Sequence, residues 1–218
     1  MSTAPPRPRR RKSPEQRSDE IHAAASDLAR EQGLAALTLR AVAARAGVAP
    51  GLVSHYATSM EELVARTFSA LVGAELVEVE AEVREASDAA ARLARMIAAV
   101  LRNDHDDITL VWVDAWSLGR SLPALSVAIE EQMDAWQACI TQIVTDGRDA
   151  GAFRFDDAAA VSWQILAMID GISAHALTRG TDATLFAARL AQACETLVGA
   201  TPGAISDRLD GEAAAPQS

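Results

Sequence analysis

The sequence predicts an all-α protein with a three-helix N-terminal domain and a larger helical C-terminal domain. Half of the 218 residues are hydrophobic but only 4% are aromatic, a balance that favours packed helices over a β-sandwich. Apolar residues recur at spacings of three and four, and no sustained alternating stretch indicates a strand. Capping residues and glycines mark the ends of several predicted helices, which allows each one to be placed.

The first twelve residues, MSTAPPRPRRRK, contain five basic residues and three prolines and have no apolar anchor. Such a segment does not bury enough apolar surface to fold alone, so residues 1–12 are expected to form a disordered basic arm. The tail, residues 201–218, is also expected to be disordered. Between these ends we expect two domains, at residues 13–58 and 59–200.

The first helix is marked at both of its ends. Ser13 is suited to cap it, Pro14 suits its first position, and Gln16 completes a capping box. Apolar residues then follow at helical spacing. Gly33 is expected to end the helix in the left-handed conformation.

The second and third helices lie on either side of a glycine turn. Thr38 starts the second helix and Gly47 stops it, whereas Pro50 opens a third helix that runs to about Tyr56. Three short helices with a glycine turn between the last two are typical of a helix-turn-helix.

The rest of the chain is predicted to be helical. Ser59 and Glu62 predict a second capping box, which starts a long helix through about Glu85. The sequence contains no convincing internal repeat. Further helices are predicted at 88–103, 107–118, 122–149, 157–178 and 183–199.

The net charge of −10 is distributed unevenly. Residues 1–66 hold 10 Lys and Arg against 7 Asp and Glu, whereas residues 67–218 hold 10 against 23. A basic N-terminal part joined to an acidic C-terminal part directs nucleic acid to one end of the molecule.

Several other classes of protein are not supported. Cys139 and Cys194 lie far apart in apolar helical patterns, which is typical of buried reduced thiols. No signal peptide is recognised and no run reaches the roughly 18 apolar residues of a membrane span, so a cytoplasmic protein is expected. No nucleophile–base pair, phosphate loop or metal-ligand spacing suggests an enzyme, a cofactor or a metal site. The acidic run at 103–107 is expected to be a solvated loop.

Residues at characteristic spacing in the N-terminal domain carry a family resemblance. They are Ile21, Ala25, Gly33, Thr38, Arg40, Ala43, Ala46, Gly47, Val48, Gly51, Val53, Ser59 and Leu63. Together they resemble the DNA-binding domain of TetR-family transcriptional regulators, and the segment GLVSHY at 51–56 resembles the BetI-like branch, which includes choline-responsive repressors. The resemblance implies a homodimer whose third helices enter DNA major grooves and whose C-terminal domains bind a small molecule and pair with each other.

The third helix presents small side chains where a recognition helix must approach base edges. Pro50, Gly51 and Leu52 lie in its first turn, and His55 lies one turn beyond, within reach of a base edge or a phosphate. Hydroxyl groups suited to phosphate are carried by Ser54 and Tyr56.

Two further DNA contacts are expected at the start of the second helix. The resemblance implies that Arg40 reaches a guanine, where a bidentate contact gives strong readout, and Thr38 is expected to contact phosphate at the helix N-terminus. Three alternatives remain: Tyr56 packs against the first helix, His55 is merely solvated, or Arg40 pairs with an acidic neighbour.

Three residues depart from the family pattern. Ala49 replaces a capping residue, at a cost of about 0.5–2 kcal/mol to the third helix. Ala57 replaces a core Phe, and Met60 replaces a Lys, so one phosphate neutralisation is lost and the salt slope shrinks by about 0.9. Glu61 and Glu62 oppose phosphate binding nearby. The basic arm is expected to compensate, from the minor groove, with Arg7, Arg9, Arg10, Arg11 and Lys12.

All four tryptophans lie in the C-terminal region. Trp112 and Trp116 are one helical turn apart and share a face. The tryptophans either fill the core or wall a pocket in which Asp114 or Asp170 holds a cation. A quaternary ammonium is therefore one candidate effector, although effectors vary across the family. The predicted ligand-binding residues are Trp112, Trp116, Met133, Trp136, Trp163 and Asp170.

The last two helices are the expected dimer interface. The first is apolar over most of its surface, more than one buried stripe requires, and the second has small residues that permit close approach. A two-fold dimer of this kind demands a palindromic operator. The predicted interface residues are Ile165, Ile169, Ile172, Ala187, Ala188 and Ala191.

The function predicted from these features is a ligand-responsive DNA-binding repressor. One alternative is a helical interaction protein with impaired DNA binding, which Ala49, Ala57 and Met60 would explain. Another is a transcriptional activator of the same family, because the sequence does not encode the sign of regulation.

Overall fold

The computed structural model describes residues 13–102 and 106–209, in which every regular element is helical. Three short 3₁₀ turns, at Leu34–Ala36, Ala183–Phe186 and Ser206–Arg208, accompany the α-helices of these residues. The α-helices are α1 (Pro14–Gln32), α2 (Leu39–Ala46), α3 (Pro50–Tyr56), α4 (Met60–Arg84), α5 (Ala89–Val100), α6 (Asp106–Leu118), α7 (Pro123–Asp149), α8 (Ala158–Arg179) and α9 (Ala187–Leu197).

The predicted all-α fold with an N-terminal helix-turn-helix is confirmed, and most helix ends fall within a few residues of their predicted positions. The start of the last helix differs. Asp182 accepts a hydrogen bond from the Thr184 N–H at 2.8 Å and starts a 3₁₀ turn, so α9 begins only at Ala187.

The first three helices enclose a small apolar core. Ile21, Leu28, Val42 and Val53 are each at most 4% exposed. The capping box predicted at Ser13 is present in both halves, because its hydroxyl accepts from the Gln16 N–H and the Gln16 side chain accepts from the Ser13 N–H. The shared core holds α3 against α1, whereas the capping box defines where α1 begins.

Helices α1, α2 and α3 form the N-terminal domain, called the head below. Two glycines shape the connections between these helices. Gly47 ends α2 in the left-handed conformation, with φ 64° and ψ 37°. Gly33 was expected to do the same after α1, but its φ of 81° and ψ of 170° lie in a region open almost only to glycine. A Cβ at Gly33 would lie 2.3 Å from Asp114 Oδ2, so α6 packs directly against this backbone.

The long helix α4 joins the head to the C-terminal domain. Its first part packs against α1, and the helix also packs against α5, α6 and α7. Phe68, Val72 and Val79 face the core and are at most 1% exposed. In turn α7 packs against α8, which places the cavity described below between α4, α5, α6, α7 and α8.

Among the described helices, none is long and apolar enough to cross a membrane.

The first part of the expected disordered tail is folded. The buried Glu195 carboxylate accepts hydrogen bonds from the backbone N–H groups of Gly203, Ile205 and Ser206 at 3.1, 2.8 and 2.7 Å. Ile205 is fully buried beneath this turn. The expectation is therefore wrong for residues 201–209, because the buried Ile205, the Glu195 carboxylate and an ion pair between Arg208 and Asp88 hold a segment of polar composition. Residues 210–218 lie outside the described part.

Candidate DNA-binding surface and ligand cavity

The exposed face of α3 consists of small and polar side chains. Pro50, Gly51, Ser54 and His55 are exposed, and a Cβ added at Gly51 would meet nothing within 4 Å. Val53 is fully buried on the opposite face and holds the helix against the head. Leu52 is half-buried. The first turn of α3 can therefore approach another surface closely.

The structure bears on the three alternatives for the predicted DNA contacts. Arg40 is exposed and, among the described residues, takes part in no ion pair. Tyr56 is half-buried and packs against the core, and its ring meets His55 edge-on at 5.1 Å. His55 itself remains exposed. Thus Arg40 and His55 are available to DNA, whereas the Tyr56 ring is partly a core residue.

Thr38 has a structural role that still permits phosphate binding. Its hydroxyl oxygen accepts from the Ala41 N–H at 3.2 Å and so caps α2. A hydroxyl also has one proton to donate. Because Thr38 is exposed, that proton remains available to a phosphate oxygen.

The three departures from the family pattern have visible consequences. No side chain caps α3 at Ala49. Ala57 and Met60 are half-buried and pack against the core. Glu61 was expected to oppose phosphate binding at the start of α4. Its Oε1 instead accepts from the Ala124 N–H at 2.7 Å and caps α7. Its charge thus stabilises a neighbouring helix terminus.

The predicted basic arm cannot be located on the fold. Arg9, Arg10, Arg11 and Lys12 lie outside the described residues, which begin at Ser13. Their contribution to DNA binding stays a prediction.

A cavity of about 50 Å³ lies within the C-terminal domain. Three of the four tryptophans line it, and Trp112 and Trp116 meet at a centroid distance of 5.7 Å. Phe68 of α4 supports Trp112 from behind in an edge-on contact at 5.0 Å. The full lining comprises Glu75, Val100, Thr109, Trp112, Trp116, Trp136, Leu166, Ile169, Asp170, Ser173 and Ala174.

Two polar groups of the lining lack partners. Asp170 makes no hydrogen bond or ion pair with the described residues, and burial raises the pKa of its carboxyl from 3.8 to about 7. Within the part of the chain that the structure describes, the buried Trp136 Nε1–H also has no acceptor. A ligand with a positive charge and an acceptor atom would satisfy both groups.

Two predicted ligand residues lie apart from this cavity. Trp163 is 59% exposed on α8, and Met133 is half-buried on α7 but does not line the cavity. The prediction failed for Trp163 because α8 is apolar nearly all round, which hides the face that is buried. Sequence reasoning missed Glu75, a second carboxylate in the lining of the cavity. It could have been recognised as an acidic residue within the apolar face of α4.

The predicted dimer interface is contradicted for three residues. Ile165, Ile169 and Ala191 are at most 6% exposed because they pack inside the protomer. Ala187 and Ala188 line a hollow beside α5. Of the predicted set, only Ile172 lies in the open groove between α8 and α9.

The face of α8 that is left uncovered has a regular pattern. Trp163, Ala167, Gly171 and His175 are all exposed and four residues apart, so they form one ridge along the helix. Beside this ridge lies a groove of about 460 Å³, lined mostly by apolar residues of α8 and α9 together with His175, Arg179 and Arg189. Within the described part of the chain, no cluster of His, Cys, Asp and Glu could hold a metal; residues 103–105 fall outside it.

The sequence matches two family models. Residues 21–67 match the model described as bacterial regulatory proteins of the TetR family. Residues 89–202, more than half of the chain, match the model described as the C-terminal domain of BetI-type transcriptional repressors. No curated protein matches the sequence significantly.

Solved structures share the fold over nearly their whole length. A TetR-family regulator from Rhodococcus sp. is 19% identical, with 84% of this chain and 99% of that chain covered and a TM-score of 0.72. A regulator from Saccharomonospora viridis in complex with choline is 21% identical, with 85% and 96% covered and a TM-score of 0.72. The regulator FadR from Bacillus subtilis in complex with stearoyl-CoA is 21% identical, with 83% and 97% covered and a TM-score of 0.68. Such distant similarity shows the fold alone.

Proposed function

This chain belongs to the TetR family of bacterial regulatory proteins, and on that premise we propose that it is a repressor that binds a palindromic operator as a homodimer and releases it when a small molecule fills the cavity. The observation that carries this proposal is the uncovered face of α3, with small residues in its first turn and Arg40 unpaired nearby. The buried cavity with unsatisfied polar groups supports the control by a ligand.

Operator reading follows from the exposed head. Pro50 and Gly51 let α3 approach base edges, while Arg40 supplies a guanidinium that matches the two acceptors of guanine. The hydroxyls of Thr38 and Ser54 position the head on phosphates. The basic arm adds sequence-independent affinity, so binding weakens steeply as salt rises.

The exposed ridge of α8 is the surface that we propose for dimerisation. An isologous contact places the ridges of two copies against each other around a two-fold axis. Trp163 supplies a large apolar anchor, and Ala167 and Gly171 permit close approach of the backbones. The adjacent apolar groove extends the same surface toward α9.

We propose that the effector is a compact cation, with a quaternary ammonium as the leading candidate. Tryptophan faces attract cations, and the Asp170 carboxylate offers a counter-charge. The cavity has room for about three to five water molecules, which favours a ligand the size of choline over a long acyl chain. The relatives that bind choline and stearoyl-CoA show that this fold accommodates both kinds of ligand.

The ligand proposal is tested by titrating the protein with choline chloride while tryptophan fluorescence is recorded. We expect quenching that saturates, and tighter binding at pH 8 than at pH 6, because burial raises the pKa of Asp170 to about 7 and a cation favours the ionised carboxylate. The neutral isostere 3,3-dimethylbutanol is the matched control. Equal binding of the two compounds, or no binding of either at millimolar concentration, would contradict a cationic effector.

DNA binding is tested by fluorescence anisotropy with the intergenic duplex upstream of the protein's own gene. We expect specific binding that Arg40→Ala weakens by about 1–3 kcal/mol, the usual value of a bidentate base contact. Failure of the wild type to bind would instead favour the helical interaction protein. A reporter gene that rises on deletion of the protein supports repression, and one that falls identifies an activator. Because it acts on DNA, we expect the protein in the cytoplasm.

A further inference from the structure

The ligand cavity has a buried floor and a half-exposed mouth. The floor consists of Glu75, Val100, Trp136, Leu166 and Ile169. Among the described residues, the half-exposed part of the lining comes only from α6 and α8, and consists of Thr109, Trp112, Trp116, Asp170, Ser173 and Ala174. The cavity therefore opens to solvent between these two helices.

The α8 side of the mouth adjoins the exposed ridge of the same helix. Successive side chains of an α-helix leave the axis in directions about 100° apart. Ala174 follows Ala167 of the ridge by seven residues, so their side chains leave α8 in directions only about 20° apart. The same spacing relates Asp170 to Trp163. The mouth and the ridge are thus neighbouring strips of one helix surface.

A second copy packed against the ridge covers part of the mouth. Packed helices lie about 8–10 Å apart and bury a stripe at least about 100° wide. The direction of Ala174 on α8 falls between those of Trp163 and Gly171. A partner helix that contacts both of these ridge residues therefore also lies over Ala174.

The tryptophans at the mouth benefit from such a cover. Trp112 and Trp116 remain half-exposed in the single protomer, although they meet at a centroid distance of 5.7 Å and form one aromatic wall. The attraction between a cation and an aromatic ring is stronger once water is excluded from the pair. A covered mouth therefore holds a cationic ligand more tightly than an open one.

We propose that a second copy of this chain forms the outer wall of the ligand cavity, so that the ligand site is complete only in the dimer. The proposal rests on the proposed function, because the partner is the copy that binds the ridge of α8. A ligand that prefers the covered cavity also favours the dimer. Ligand binding and dimerisation therefore strengthen each other by the same factor.

Acrylamide quenching of tryptophan fluorescence tests the outer wall without knowledge of the ligand. Trp163→Phe is the common background, because Trp163 lies on the ridge and would report its own exposure. Gly171→Glu is added to separate the copies, and the protomer accepts it because a Cβ there meets nothing within 4 Å. We expect the Stern–Volmer constant to rise by about 2-fold or more in the monomer, since two of the three remaining rings lose their cover.

Val77→Glu in the same background is the matched control. It adds the same charge at a position of α4 that is 65% exposed and lies outside the ridge. This variant should remain dimeric and keep the Stern–Volmer constant of the background. Sedimentation velocity establishes the state of each variant, and Ala167→Glu replaces Gly171→Glu if circular dichroism shows that the latter does not fold.

Choline chloride provides a second measurement. The wild type and Gly171→Glu are titrated with it at pH 8, and binding is followed by tryptophan fluorescence. We expect the monomer to bind at least about 10-fold more weakly, since its contacts between cation and rings are exposed to water.

The outcomes distinguish this proposal from the function on which it rests. An unchanged Stern–Volmer constant in the monomer, or a monomer that binds choline as tightly as the dimer, overturns the outer wall while the proposed function stands. Dimers of both ridge variants overturn it as well, because the partner then binds elsewhere. A rise in quenching without choline binding supports the wall and contradicts only the choline effector. A monomeric wild type contradicts the proposed dimer, and the outer wall falls with it.

Discussion

Asp170 shows how burial alone alters the chemistry of one residue. Its carboxyl has no hydrogen-bond or ion-pair partner among the described residues, and burial raises its pKa to about 7. Folded protein therefore retains a proton that the unfolded chain releases near pH 4. The stability that this group contributes is fully present below the unfolded pKa and is lost as pH rises through about 7.

Asp170→Asn removes this dependence with little change of shape. We expect the variant to be more stable than the wild type at pH 8, and the difference in melting temperature to shrink between pH 8 and pH 5. Differential scanning calorimetry at both pH values measures it. Asp134→Asn, on the exposed face of α7, is the control. A difference that does not change with pH would show that Asp170 is not buried as described.

Ala49 is the residue at which the recognition helix is weakest. The first turn of α3 lacks a side-chain acceptor, because the residue before Pro50 carries only a methyl group. Ala49→Ser should restore the cap and raise the free energy of unfolding by about 0.5–2 kcal/mol. Urea unfolding followed by circular dichroism measures the gain. Ala44→Ser, at an exposed position within α2, should give no gain, and equal effects of the two would refute a capping role.

At the level of elements, we expect the N-terminus of α4 to contact the DNA backbone. Ser59 caps this helix by accepting from the Glu62 N–H at 3.0 Å, and Glu61 is engaged in capping α7. The exposed N–H groups are thus less opposed by carboxylates than the sequence suggested. Met60 nevertheless offers no positive charge to a phosphate at this position.

Met60→Lys should supply that cation. The aliphatic stem of a lysine can replace the half-buried Met60 while its ammonium group reaches solvent. We expect tighter operator binding and a salt slope steeper by about 0.9 per subunit. Anisotropy titrations from 50 to 300 mM KCl measure the slope. An unchanged slope would mean that this terminus does not lie on a phosphate.

Helix boundaries were predictable because they depend on local chemistry. Ser13, Gly47 and Pro50 act on their own backbone or on residues within one turn, so the sequence around them contains the signal. The buried face of α8 was not predictable in this way. Its surface is apolar nearly all round, and only packing against α6 and α7 decides that Ile165 is buried while Trp163 is exposed.

The contact between Asp114 and the turn after α1 was also beyond reach of the sequence. It joins Ala35 to Asp114, 79 positions apart, and no local pattern links the two. Asp114 was expected as a possible counter-charge for a cation, but it does not line the cavity and accepts from the Ala35 N–H instead. The cavity was predicted in part, since Trp112, Trp116, Trp136 and Asp170 all line it. Those residues were found because large aromatic groups and a lone carboxylate within apolar helices are uncommon.

At the scale of the whole molecule, the proposed regulation depends on the assembly of two copies. TetR-family regulators are not enzymes but bind operator DNA as dimers, and the chain belongs to that family. We therefore propose that its output is the spacing of two heads on DNA. The C-terminal residues 67–218 hold 23 Asp and Glu against 10 Lys and Arg, so we expect the N-terminal end of the molecule to face DNA.

Gly171→Glu tests the proposed dimer surface. A Cβ at Gly171 would meet nothing within 4 Å, so the protomer accepts the substitution, but two copies would bring carboxylates together at the two-fold contact. Sedimentation velocity should show a dimer for the wild type and a monomer for the variant. Val77→Glu, at a position 65% exposed on α4, is the control and should remain dimeric. Dimers of both variants would place the interface elsewhere.

The most direct test of the account is a hydroxyl-radical footprint of the wild-type protein on its upstream intergenic DNA. A dimer with one α3 in each of two major grooves should protect two symmetric half-sites separated by about 34–36 Å, one helical turn, or a multiple of it. Protection of an inverted repeat at that spacing is the predicted result. A single asymmetric site, or no protection at low salt, would contradict a two-fold operator-binding regulator.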